Sequence, residues 1–451
     1  MEDMVKEVSA IDVAENPAIY IPAASPIQLD VLLGKFPEKA KKLMWYLRDS
    51  FFYHPYMLTS AFYSRDWVDF REHFLVKKGE VEHWGDSGGF QAWTQKAIIN
   101  PKDVVLWMQD NCEYGFALDD PGEYVMVGEG DHAKKDRVSS SEFEKSAQRT
   151  LENNEIYFKN RTSKDLKLYN VLHGSSLDQI EMWYNYVSQV PFEGWALGMK
   201  PVSDPVVFTF AAMYLYEKGV RENIHFFGVS GLSVIPIIIY MTRYFKHLTF
   251  DSTSYAVGAM YRRYLNPLNQ NLKITIGNIT KDAMYKKLPC DCPYCSKITN
   301  IPKLYEPGAF SGTLISMHNL YHIVHHIKLM NLLNQSQADY REYVGGNAKI
   351  MEMIEFIDMC VAIGFEKACQ KYMWLLQGQY HLFDDESARW SFITDGLGLK
   401  TPEPEKKKKG KKEKVVQVEQ PKQDQNKPVV AEKPSPKKQV VLMPMAMCDW
   451  L

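Results

Sequence analysis

Apolar and polar positions alternate along this chain in blocks whose period changes in a regular order. Short apolar runs rich in Val, Ile, Leu and aromatic residues read as strands. The longer stretches between them repeat their apolar positions every three or four residues, as helices do. Strands are predicted at Ala18–Pro22, Val81–Trp84, Gly115–Leu118, Leu166–Leu172, Gly194–Gly198, Ile224–Val229 and His247–Asp251. Helices are predicted at Pro101–Met108, from Ser139 onward behind a capping box, and at Leu177–Val190, Asp204–Glu217 and Val234–Phe245. Leu43–Phe62, rich in Leu, Met and aromatics, reads as a helical opening segment, and the charged, glycine-containing Gly122–Val138 reads as a loop.

Strands that alternate with helices build βαβ units and a parallel sheet. At least six such units favour a closed α/β fold, a TIM-type (β/α)8 barrel, over an open doubly wound sheet. No Gly-x-Gly-x-x-Gly follows any predicted strand, which weakens a nucleotide-cofactor reading. A barrel of this type carries its chemistry at the C-terminal ends of its strands. Asp86, Asp119, His173, Gly198, Gly228 and Asp251 all fall at such ends. The densest of them is Trp84-Gly85-Asp86-Ser87-Gly88-Gly89-Phe90-Gln91, where glycines would let backbone approach a ligand beside a carboxylate, a hydroxyl and an amide. Taken alone, the same stretch also reads as a tight turn whose Asp caps the next helix.

Composition adds a boundary. The 451 residues carry a formal charge of −2, but Thr401–Lys438 holds twelve Lys against six Asp or Glu, leaving the body at −8. The body is therefore no general polyanion-binding surface. We assign 1–400 to the barrel domain, including C-terminal helices. Residues 401–438 read as a disordered Lys/Pro-rich linker and 439–451 as a short apolar end peptide. The acidic start lacks the apolar core of a secretion signal, and the most apolar run, Val234–Met241, is too short to span a bilayer. The expectation is a cytoplasmic protein with no membrane partner.

Three of the seven cysteines crowd into Cys290-Asp291-Cys292-Pro293-Tyr294-Cys295, followed by a helix expected to open at His318. Three thiolates and an imidazole form a closed tetrahedral set, the ligand choice of structural Zn2+. Cys290, Cys292, Cys295 and His318 are the candidate ligands, within an inserted zinc-binding subdomain at about residues 285–330. His322, His325 and His326 on the same helix are alternatives for the fourth place.

Together, Asp86-Ser87-Gly88-Gly89-Phe90-Gln91, the Phe250-Asp251 strand end and the Cys/His set resemble, in this order, the tRNA-guanine transglycosylases. The resemblance covers roughly residues 80–330. It implies a barrel enzyme with a zinc subdomain that exchanges guanine in a polynucleotide for a 7-deazaguanine base (preQ0-like). By that likeness Asp251 is the nucleophile at the sugar C1′ and Asp86 the acid/base group. Phe90 would stack on the base, Ser87 and Asp119 would bind its edge, and Gly88, Gly89, Gln91, His173 and Gly198 would complete the base pocket.

The departures are as informative. His173-Gly174-Ser175 and Gly198-Met199-Lys200 stand where the family usually has Gln-Gly-Gly and Gly-Gly-Leu. Ser252-Thr253-Ser254-Tyr255-Ala256-Val257-Gly258 stands where tRNA-acting members carry Thr-Arg-x-x-Arg. This is similar to the divergent DpdA branch of bacteria and their viruses, which implies DNA as the nucleic-acid partner and, for a viral protein, the host cytoplasm. The alternatives are action on tRNA, or a non-catalytic partner subunit. The resemblance also implies a homodimer.

Overall fold

Largely apolar runs of three to seven residues form strands here because both of their faces are buried. The computed structural model describes residues 14–372, apart from 36, 68, 121–123, 128–133, 138, 175, 199–204, 230, 232–233, 262, 266–272, 276–289, 291 and 298–308. Eight strands are parallel: β1 (Ile19–Pro22), β2 (Tyr56–Ser60), β3 (Glu82–Asp86), β4 (Tyr114–Phe116), β5 (Lys167–Leu172), β6 (Gly194–Leu197), β7 (Glu222–Phe226) and β8 (Lys246–Ser252). They are ordered β1-β8-β7-β6-β5-β4-β3-β2. The two ends meet where Ala23 bridges Leu58 in parallel and the Ala24 amide donates to the Leu58 carbonyl at 2.8 Å. The sheet is thus a nearly closed barrel wrapped by helices, as the strand–helix rhythm predicts.

Successive side chains on each strand point to opposite faces. Ile21, Leu58, Trp84, Phe116, Tyr169, Val171 and Ala196 fill the barrel interior, and Trp84 stacks on Tyr114 with ring centroids 4.2 Å apart. Their neighbours Tyr20, Met57, Leu168, Leu172, Leu197, Phe226, Leu248 and Phe250 belong to the larger core outside the barrel, under the helices. Register puts Asp251 opposite Ile21 and His225 opposite both Ala196 and Thr249, so His225, Thr249 and Asp251 share the inward face. Asp86 is two residues beyond the inward Trp84 and shares its parity.

The helices start where local chemistry directs. The side chains of Asn100, Ser139 and Ser176 cap Pro101–Asn111, Ser140–Asn160 and Leu177–Val187 by accepting from the amides of Lys102, Glu142 and Gln179. Pro205–Glu217 is apolar around its whole circumference because it lies between the barrel and the helix Ala348–Ile363, where Phe210 stacks on Phe356 at 4.0 Å. No helix among the described residues is long and apolar enough to cross a membrane.

Three expectations need correction. Leu43–Phe62 is not a helix: its end is strand β2, whose run Tyr-Met-Leu-Thr-Ser is buried on both faces and so shows no alternation. The described parts of Gly122–Val138 form an antiparallel ribbon, Tyr124–Val127 against Lys134–Arg137, rather than an open loop. The third helix boundary lies earlier than predicted, since Ala309–Leu333 is one 25-residue helix and His318 sits inside it. Asp204, the Lys/Pro-rich segment and the apolar end peptide lie outside the described residues.

Candidate active site

The C-terminal mouth of the barrel collects the predicted polar residues. Asp86 ends β3, and the chain then turns through Gly88 at φ +84° into a short helix, Gly89–Gln95. A Cβ on Gly88 would lie 2.5 Å from the Phe62 Cβ, so both the backbone angle and the space require glycine. At Gly89 a Cβ would meet the Asp119 carbonyl oxygen at 2.5 Å and its Oδ1 at 2.7 Å. The Gly-Gly pair therefore lets the loop after β3 lie directly against the carboxylate that follows β4.

Asp119 is anchored from the next strand. Its Oδ2 lies 2.7 Å from Nε2 of the buried His173, just past β5. Gly198, just past β6, faces the same ring, because a Cβ there would stand 2.6 Å from His173 Cε1. Asp120 is turned elsewhere: its carboxylate pairs with Arg149 and its amide donates to Thr150 Oγ1 at 3.0 Å.

Two carboxylates differ in their surroundings. Burial pushes the half-buried Asp86 up to about 6. The Ser60 hydroxyl and Gly88 amide oppose that rise, while the charges of Asp119 and Asp251 add to it. Asp251, on β8, is 8% exposed and receives two hydrogen bonds on one oxygen. The Gly228 amide donates to Oδ1 at 2.8 Å, and His225 Nε2 lies 3.2 Å from the same atom. The two predicted carboxylates thus end strands at one mouth of the barrel, one able to hold a proton near neutrality and the other held through a single oxygen.

The rest of the motif offers unspent polar atoms. The Ser87 Oγ and Gln91 Oε1 are buried and have no hydrogen-bond partner among the described residues, a costly arrangement that a polar ligand would relieve. Phe90, by contrast, is 42% exposed, with Trp93 beside it at 5.9 Å between ring centroids, so its face is available for stacking.

On the flank of the barrel the Cys/His cluster assembles. The ligand atoms of Cys290, Cys292, His318 and His322 all lie within 4.8 Å of one another. His318 Nδ1 faces the thiols of Cys292 at 3.5 Å and Cys295 at 3.2 Å, while Cys290 Sγ lies 3.0 Å from His322 Nε2. A tetrahedral zinc with bonds of about 2.0–2.3 Å needs its donors roughly 3.5–4 Å apart, so these residues fit that ion after small adjustments. The outer shell fits as well. His318 Nε2 lies 2.8 Å from the Leu265 carbonyl, which puts the ring proton on Nε2 and turns the Nδ1 lone pair towards the thiols. The amides of Cys292 and Cys295 donate to the sulfurs of Cys290 and Cys292 at 3.3 Å.

Of the predicted ligands, Cys290, Cys292 and His318 share that group with His322, one turn beyond His318, while the Cys295 thiol lies 3.2 Å from His318 Nδ1. His325 and His326 point elsewhere, to the Tyr321 carbonyl and the Tyr343 hydroxyl. Helix Ala309–Leu333 also packs on Ser254–Met260, the helix that follows Asp251: Asn319 Nδ2 donates to the carbonyls of Tyr255 at 3.2 Å and Arg263 at 3.1 Å. The metal-binding candidate thus braces the segment next to the candidate nucleophile.

The fold is thus a nearly closed (β/α)8 barrel with Asp86 and Asp251 at the C-terminal ends of two of its strands and a Cys/His cluster that could hold a metal ion. The chain is similar to the tRNA-guanine(15) transglycosylase of Saccharolobus solfataricus, with 26% identity over 293 residues, 62% of this chain and 52% of that protein. The chain thus spans about half the length of this curated relative. No family model matches it.

Two functional candidates escaped the sequence reading, His225 and Thr249, whereas His322 stood there among the alternatives for the fourth ligand place. The first two carry a usable signal, since Thr249 and Asp251 share parity on one strand and His225 is the one ionisable residue inside an apolar run on the next.

Proposed function

We propose that this chain is a guanine transglycosylase that exchanges guanine in a polynucleotide for a 7-deazaguanine base. The observation that carries this reading is the pair of unlike carboxylates at one barrel mouth, Asp86 raised by burial to about 6 and Asp251 held through one oxygen. Asp251 attacks C1′ of the target nucleotide as the bond to guanine breaks, and Asp86 gives its proton to the leaving purine. Asp86, now a carboxylate, takes the ring N–H proton of the incoming base. That base attacks C1′ and releases Asp251, so the enzyme ends as it began. The target nucleotide leaves its stack to enter the pocket. Phe90 stacks on the base, with Ser87, Gly88, Gly89, Gln91, Asp119, His173 and Gly198 around its edge. Cys290, Cys292, His318 and either Cys295 or His322 would hold a structural zinc, since four protein ligands would leave it no place for substrate.

DNA is the favoured polynucleotide. The uncharged Ser252–Gly258 stretch after Asp251 offers no guanidinium to grip a tRNA backbone, and displacement at C1′ needs no 2′-hydroxyl. A second reading, tRNA, is supported by the activity in the name of the similar archaeal protein. The test is retention of labelled guanine, or of a labelled 7-deazaguanine, in duplex DNA and in tRNA. Label in DNA supports the proposal, and label in tRNA alone overturns the choice of DNA. Label in neither polymer would point to a non-catalytic partner subunit.

A further inference from the structure

We infer that His225 is the positioning residue for Asp251, held by Thr249 in the one tautomer that aims the Asp251 carboxylate. This rests on the reading of Asp251 as nucleophile for its consequence in rate, but the geometry stands by itself.

The hydrogen bonds determine the protons. An ionised carboxylate only accepts, so the contact of 3.2 Å between His225 Nε2 and Asp251 Oδ1 requires a proton on Nε2. A neutral imidazole with its proton on Nε2 is an acceptor at Nδ1, and the atom facing Nδ1 is the Thr249 Oγ1 at 2.8 Å. The threonine hydroxyl must therefore donate. Thr249 and His225 are both fully buried, and the ring is packed among Trp84, Phe116 and Phe227, with centroids 5.5, 4.5 and 5.0 Å away. That apolar surround favours the uncharged ring: burial lowers the His225 pKa, and the Asp251 carboxylate only partly opposes it.

The consequence concerns which oxygen reacts. The Gly228 amide and His225 both place their protons on Oδ1, leaving Oδ2 without a hydrogen bond among the described residues. Oδ2 is then the oxygen with a lone pair to spend on C1′, and the carboxylate cannot rotate to exchange the two atoms without breaking both bonds. The imidazole transfers no proton in this arrangement. It sets direction, as a buried carboxylate sets the imidazole in a hydrolase triad, with the roles reversed.

Two substitutions test this, with readouts that a merely structural role would not move. Thr249→Val keeps shape and burial but removes the donor to Nδ1; Thr249→Ser restores it. In protein labelled with nitrogen-15 histidine, the His225 signals, assigned by their loss in His225→Gln, should show a protonated Nε2 and a bare Nδ1 in the wild type and in Thr249→Ser. In Thr249→Val that pattern should shift towards a mixture of tautomers. In single-turnover exchange, Thr249→Val should lose about 10- to 100-fold in rate at unchanged KM, with Thr249→Ser close to wild type. A proton on Nδ1 in the wild type, or a Thr249→Val protein with unaltered tautomer, overturns the inference. So does a Thr249→Ser rate as low as that of Thr249→Val. If the wild type exchanges no base, the functional proposal fails, and the tautomer spectrum still decides whether Thr249 and His225 hold Asp251.

Discussion

Replacing Asp86 by Asn should make the protein more stable near neutral pH while removing its activity. A carboxyl that ionises near 6 when folded and near 3.8 when unfolded is protonated longer in the folded state. As pH rises from about 4 to 6 the unfolded chain releases its proton first, so folding stability falls across that window and stays reduced above it. Below about 3.8 both states hold the proton and the penalty is absent. A difference of this size corresponds to about 3 kcal/mol at pH 7.5. Asn removes the ionisation but keeps a polar group in the same half-buried place, so a gain of about 1–2 kcal/mol is expected. Its amide oxygen still faces the Ser60 hydroxyl and the Gly88 amide, which limits the loss of local order. Urea denaturation followed by tryptophan fluorescence, with wild type and variant compared at pH 7.5 and pH 4.5, reads the effect. The gain should shrink to well under half at pH 4.5, and exchange activity at pH 7.5 should fall at least about 100-fold. A variant less stable than wild type at pH 7.5, or a gain independent of pH, would refute the account of Asp86.

Other expectations follow from single contacts. Ser87→Ala removes a buried hydroxyl without a protein partner, so stability should change by less than about 0.5 kcal/mol while KM for the base rises; a marked loss of stability would show that the hydroxyl serves the fold. Gly89→Ala drives a methyl against the Asp119 carbonyl and should cost roughly 1–3 kcal/mol together with most of the activity, read by denaturation and by exchange. Purified protein should contain about one zinc per chain by metal analysis. Cys292→Ser should lose that zinc and lower the melting temperature, whereas His326→Ala should retain it.

The barrel was legible because strands buried on both faces leave continuous apolar runs between amphipathic helices. β2 was not, since its five residues follow a Leu- and aromatic-rich stretch and show no alternation of their own. Asp86, Asp119, His173, Gly198 and Asp251 could be placed from position alone, because a parallel barrel delivers every strand end to one rim. The contacts that tune them lie between strands distant in sequence. Asp119 and His173 are 54 residues apart, and His225 and Asp251 are 26 apart, so no local pattern joins them. The metal cluster was legible in its thiols, which are adjacent, and less so in its imidazoles. Four histidines on one helix are distinguished only by the face that Asn319 and Leu265 fix against the segment after Asp251.

The central claim is that Asp251 carries the sugar. It is tested most directly by quenching the protein in acid during turnover with a guanine-containing duplex and a 7-deazaguanine, then locating the nucleotide adduct by peptide mass spectrometry. The account predicts an adduct on the peptide containing Asp251, absent in Asp251→Asn. Base exchange that proceeds undiminished in Asp251→Asn, or an adduct on another residue, would contradict it.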